Sequence, residues 1–229
     1  LPASDKRIFQ DYFHNQETHI TPAEVIRAIN KMRTTAPGED GIKLTLYRIL
    51  KQELAPILAE VLNQLVQQMP EDFLMGVIIP IFKDGNPYEA SNYRLITLLN
   101  TDYRIMQQIL VVKIKEPLQR LICPNQSAFL PGRCITDNIW TLQLLPRYLE
   151  LLQMQGYFAV CDFAKAYDKI DRQFLLRVCA EMHFPPFLLQ WITQILSKTG
   201  AKVYVNGRFS HTGISFSRMP PTLPELNLR

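Results

Sequence analysis

The chain has 229 residues, enough for one full domain or parts of two, and 47% hydrophobic with 20% charged residues and only nine glycines and 16 prolines is a globular composition. A disordered, collagen-like or low-complexity chain is excluded on those values. The net charge of +4 divides into −1 over the first 114 residues and +5 over the rest, so the second half tolerates a polyanion, although an ordinary globular protein fits the same balance.

Thr21-Pro22-Ala23-Glu24 is a capping box with proline at the first helical position, and Val25, Ile26 and Ile29 follow on one face, which predicts a helix. It must end before Ala36-Pro37-Gly38-Glu39-Asp40-Gly41, whose two glycines and proline demand a loop. From Leu44 to Val66 the leucines return at near-helical spacing, with Pro56 either kinking one helix or opening a second. The period then changes. Val77 to Phe82 is a β-branched run, Lys83-Asp84-Gly85-Asn86-Pro87 is turn chemistry, and Tyr93 to Leu98 fits a second strand, together a hairpin.

Helical spacing resumes at Ile105 and runs to Leu121, breaks at Cys123-Pro124-Asn125, and returns near Ile135 after the loop Pro131-Gly132-Arg133. Gly156 to Cys161 reads as a buried strand, Asp171 as the N-cap of a helix through Val178, and Leu188 to Ile195 as a further helix after Phe184-Pro185-Pro186. Ala201 to Val205 is a strand closed by Asn206-Gly207, a strong hairpin signal. The mixed order of elements predicts an α+β fold. Cys123, Cys134, Cys161 and Cys179 form no C-x-x-C pair and are expected as reduced core thiols. The aliphatic run Ile109–Val112 stops at Lys113 and Leu1-Pro2-Ala3-Ser4-Asp5 lacks a signal-peptide pattern, so an intracellular, non-membrane protein is expected.

The segment Tyr157 to Asp171 is the richest in chemistry. A carboxylate, Asp162, closing an apolar strand sits where a dication can reach it, and the turn beyond offers N–H groups to an anion, an arrangement suited to phosphoryl transfer. Equally, Asp162 can simply stop the strand while Asp168 or Asp171 caps the helix. This segment resembles motif A of reverse transcriptases of LINE-type retrotransposons, which lack long terminal repeats. Ala36-Pro37-Gly38-Glu39-Asp40-Gly41-Ile42 is similar to the family's A-P-G-x-D-G-I motif, Ile79 to Lys83 and Asn92 to Asn100 to its fingers motifs, and Gln126 to Arg133 with Asp137-Asn138-Ile139 to the next, in matching order over roughly residues 20–218.

The resemblance implies reverse-transcriptase-like fingers in residues 1–150, an incomplete palm in 151–218 and a divergent tail in 219–229. It implies RNA-templated extension of a DNA primer from deoxynucleoside triphosphates, with Mg²⁺ held by Asp162 and the carbonyl of Phe163. The amides of Lys165 and Ala166 would face the triphosphate, and Tyr167 would exclude a 2′-hydroxyl, unless it is a core aromatic. Lys83 and Arg94 would contact the β and γ phosphates, or else be solvated cations. Gln126, Gly132 and Arg133 would touch the template, although a plain turn with an exposed arginine explains them as well. A nuclear location is compatible with the family; the oligomeric state is not legible.

Leu95 stands where the family usually has proline, and Thr35 where it often has lysine. After Arg218 the Arg-Gln-Gly core of motif B is absent, and no Asp-Asp dipeptide of the motif C type occurs. The expectation is therefore a truncated, inactive polymerase domain, as a frameshifted, alternatively spliced or decayed element would encode, or a noncatalytic nucleic-acid-binding remnant. An unrelated phosphotransferase ranks below both, because no P-loop pattern is present.

Overall fold

The computed structural model describes residues 10–12, 19–67, 69–157, 159–163, 169–210 and 214–215. Helix α1 spans Pro22–Lys31, and its capping box forms as the sequence predicts: Thr21 Oγ1 accepts from the Glu24 N–H, and a Glu24 carboxylate oxygen accepts from the Thr21 N–H. Two more helices follow, α2 (Leu44–Ile49) and α3 (Lys51–Leu65). The chain breaks at Leu50 and not at Pro56, which sits inside α3.

Strands β1 (Met75–Phe82) and β2 (Tyr93–Leu99) pair antiparallel. Helix α4 (Thr101–Leu121) runs from the end of β2, and α5 (Ile135–Leu151) follows a loop. Then come α6 (Arg172–Glu181), α7 (Pro186–Lys198), β3 (Gly200–Val205), β4 (Arg208–Phe209) and β5 (Ile214–Ser215). The sheet order is β2-β1-β3-β4, with β5 also paired to β3. β3 lies parallel to β1 in the register Met75↔Gly200 to Ile78↔Val203, which makes the sheet mixed and the fold α+β. The β3–β4 turn has Asn206 at φ 50° and Gly207 at φ 79°, the two left-handed residues that an Asn-Gly hairpin requires.

The core lies among α1, α3, α4 and α7, where Val25, Ile29, Leu62, Tyr103, Ile105, Met106, Leu188 and Trp191 are buried. Lys113 on α4 is only 6% exposed, and its ammonium sits 2.6 Å from Glu24, so the capping acid of α1 also neutralises a buried cation. Among the described residues, no helix is long and apolar enough to cross a membrane.

Two expectations are corrected. The described residues of 156–161, which leave out Phe158, form no strand: Tyr157 is 98% and Val160 95% exposed, and among the described residues nothing pairs with this segment. Apolar, β-prone residues become a strand only where a neighbour accepts their ladder bonds. Of the four cysteines only Cys179 is in the core; Cys123, Cys134 and Cys161 are exposed, and none of the four is in a disulfide. Helix α5 exists as expected, yet none of its residues is buried, and Trp140, Leu144 and Tyr148 all lie open.

Candidate functional site

The β1–β2 register decides which side chains of the hairpin meet. Ile81 pairs with Arg94, Phe82 pairs with Tyr93, and the Lys83 N–H donates to the Asn92 carbonyl at 2.9 Å, so the ladder continues one residue past β1. Side chains alternate between faces, and cross-strand partners share one. Lys83 and Arg94 therefore stand on the same face as diagonal neighbours, about 7 to 8 Å apart at the backbone. Both are exposed, and among the described residues neither has a side-chain hydrogen bond or an ion pair.

The hairpin tip is braced independently of these cations. Asn92 Nδ2 donates to the Asn86 carbonyl at 3.0 Å, and the Tyr93 hydroxyl donates to the Pro87 carbonyl at 2.9 Å. On the opposite face Phe82 and Tyr93 pack edge to face with centroids 5.4 Å apart. Two uncompensated cations on a braced tip are a chemically competent clamp for a polyphosphate.

The base of the hairpin is tied to the Ala36–Ile42 loop. Asn100, at the N-cap position of α4, does not cap the helix; its Oδ1 instead accepts from the Asp40 N–H at 3.4 Å. Thr101 Oγ1 donates to the Ile42 carbonyl at 2.6 Å, and Glu39 pairs with Lys202 of β3 at 2.7 Å. Gly38 lies so close to Asn100 that a Cβ there would stand 2.5 Å from the Asn100 backbone nitrogen. Burial and then the neighbouring Asp40 charge raise the Asp102 carboxyl, while burial, Asp102 and Asp40 push the Tyr47 hydroxyl up to about 12. Sequence reasoning found the loop but missed Asn100 and Thr101 as its anchors; a strand end followed by Asn-Thr reads as an ordinary helix cap.

Gln126 and Gly132 are exposed on the loop between α4 and α5, Gly132 at φ 70°. The Arg133 guanidinium turns inward and donates to four main-chain carbonyls, those of Gln119, Ile122, Cys123 and Gln126.

Asp162 and Phe163 lie exposed between α5 and α6. Lys165, Ala166 and Tyr167 lie outside the described residues, as does Asp168. Asp171 is committed to capping α6, where it accepts from the Phe174 N–H at 2.6 Å. Among the described residues no group of three or more acids, histidines or cysteines is placed to hold a metal ion. A pair of divalent cations needs several oxygen ligands to offset their repulsion, and Asp162 could supply one carboxylate of such a shell.

The sequence profile of the family described as reverse transcriptase (RNA-dependent DNA polymerase) matches residues 81–221. That span holds Lys83, Arg94, the 123–134 loop and Asp162. The chain is 27% identical over 193 residues to the transposon TX1 uncharacterized 149 kDa protein of Xenopus laevis, covering 83% of this chain and 15% of that protein. It is 25% identical over 140 residues to the putative 115 kDa protein in type-1 retrotransposable element R1DM of Drosophila melanogaster, covering 59% of this chain and 13% of that protein. The chain thus spans a small part of the length of these relatives.

Proposed function

The chain belongs to the reverse transcriptase family of RNA-dependent DNA polymerases, and from that premise we propose that it forms the fingers and the first part of the palm of a LINE-type retrotransposon polymerase that copies RNA into DNA. The likeness to proteins named for transposon TX1 and for a type-1 retrotransposable element supports the element class. The observation that carries the reading is the hairpin register, with Lys83 and Arg94 exposed side by side on one face of a braced tip.

In this reading Lys83 and Arg94 bind the β and γ phosphates of the incoming deoxynucleoside triphosphate, Arg94 through two parallel N–H bonds. The Ala36–Ile42 loop holds the base of the hairpin so that both cations keep their position. The amides of Lys165 and Ala166 receive the triphosphate, and the ring of Tyr167 excludes a ribose 2′-hydroxyl. Gln126 and Gly132 lie along the template. Asp162 and the Phe163 carbonyl are the residues of this segment assigned to Mg²⁺, which supplies charge neutralisation when bound; further acids are needed to complete that shell.

The test is a fluorescence titration of the chain with a labelled deoxynucleoside triphosphate. A charge-assisted hydrogen bond contributes about 1.5 to 3 kcal/mol, so Lys83→Ala and Arg94→Ala should each weaken binding about tenfold or more. Unchanged affinity in both variants refutes the clamp.

A second reading, a noncatalytic nucleic-acid-binding role, is favoured by the basic second half of the chain. Binding of RNA with no loss of triphosphate affinity in the two variants would select it.

A further inference from the structure

The loop joining α4 to α5 is built with its single charge turned inward. Arg133 is the only charged residue in 123–134. Its Nη1 donates to the carbonyls of Cys123 at 2.5 Å and Gln126 at 2.8 Å, and its Nη2 to those of Ile122 at 2.9 Å and Gln119 at 3.2 Å. A planar fork of five donors suits such a set, and the cation also faces the negative end of the α4 dipole. Two further side chains brace the loop: Gln119 Nε2 donates to the Pro131 carbonyl at 3.0 Å, and Asn138 Nδ2 to Ser127 Oγ at 2.8 Å. Leu130 is buried beneath it.

What this framework presents outward is an aromatic ring. Phe129 is 52% exposed, and its backbone has φ 65°, the left-handed region that disfavours bulky residues. Such a conformation costs on the order of 1 to 3 kcal/mol and persists only where surrounding structure enforces it. A polar or glycine residue would be cheaper there on both counts, backbone and hydration. With the loop's cation consumed by carbonyls, the outward surface offers no charge to a phosphate. It does offer the exposed π-face of Phe129.

We propose that Phe129 is a stacking platform for an unpaired nucleobase, and that Arg133 is the positioning residue that holds it out. The proposal rests on the reading of the chain as a nucleic-acid-handling domain and adds the chemical class of one contact. Stacking on an aromatic side chain is tolerant of base identity and independent of phosphate charge, which separates it from an electrostatic contact.

The experiment compares binding of the 229-residue chain to a short homopolymeric RNA and to an abasic phosphodiester strand of equal length, over a salt series. The native chain is expected to prefer the base-bearing strand about tenfold. Phe129→Ala should erase that preference and leave affinity for the abasic strand unchanged, whereas Phe129→Trp should keep it and add fluorescence quenching beyond that of Trp140 and Trp191. Arg133→Lys should reduce the preference with no change in the salt slope; a slope lower by about 0.7 would mark Arg133 as a direct phosphate contact and overturn its positioning role. Equal native binding to both strands, or a preference that survives Phe129→Ala, overturns the platform alone. Native binding to neither strand overturns the platform and the nucleic-acid reading together.

Discussion

Replacing Gly38 by alanine tests whether the Ala36–Ile42 loop is fixed by space or by chain flexibility. Gly38 is not among the glycines with positive φ, so its backbone conformation is open to alanine. Space is the obstacle: an added Cβ would stand 2.1 Å from Asn100 Oδ1, 2.5 Å from the Asn100 nitrogen and 2.7 Å from the Leu99 carbonyl carbon. The amide oxygen can rotate away at the expense of its bond from Asp40, but the two backbone atoms end β2 and begin α4 and cannot. The loop must lift. Overpacking costs about 1 to 3 kcal/mol, and loss of the bond from Thr101 to Ile42 adds about 1 kcal/mol. At about 2 to 4 °C per kcal/mol for a chain of this size, the melting temperature should fall by roughly 4 to 16 °C.

Thermal unfolding followed by circular dichroism and calorimetry reads this directly. Gly41→Ala is the contrast, because Gly41 has φ 69° with nothing within 4 Å of an added Cβ, so only the left-handed backbone is penalised, about 1 to 2 kcal/mol. Combining Gly38→Ala with Asn100→Ala should recover only part of the loss, since it removes the 2.1 Å contact and leaves both backbone contacts. A shift below about 2 °C for Gly38→Ala would show that the loop is not seated on Asn100.

Other outcomes follow from the core. Burial acts to raise the Glu24 carboxyl, but hydrogen bonds from Lys113 and Thr21 and the Lys113 charge outweigh it and hold the group below its ordinary value of 4.5. Its contribution is thus present above pH 4.5 and lost as pH falls through the depressed value. Glu24→Gln should cost up to about 3 kcal/mol at neutral pH, and the difference from the native chain should narrow on acidification; a pH-independent difference in melting temperature would contradict this. Trp191→Ala, which empties one of the largest fully buried positions, should cost about 3 to 5 kcal/mol in urea unfolding, with a loss under 1 kcal/mol refuting its place in the core.

Much of the fold was legible because its signals are short in range. Thr21 and Glu24 are three residues apart and satisfy each other's backbone, Asn206-Gly207 needs only its own two left-handed dihedrals, and the β1–β2 hairpin needs only the turn between its strands. The motif order identified the family for the same reason, since it is a property of the chain itself. Tertiary structure decided what depends on distant partners. Whether 156–161 becomes a strand turns on a neighbour that could accept its ladder bonds, and the parallel pairing of β1 with β3 joins segments more than a hundred residues apart. Arg133 read as a template contact or an exposed turn arginine, because a guanidinium in a turn is equally suited to a phosphate and to carbonyls. Only the path of the chain, which brings Arg133 back to the end of α4, turned that side chain toward the carbonyls while Phe129 stayed exposed.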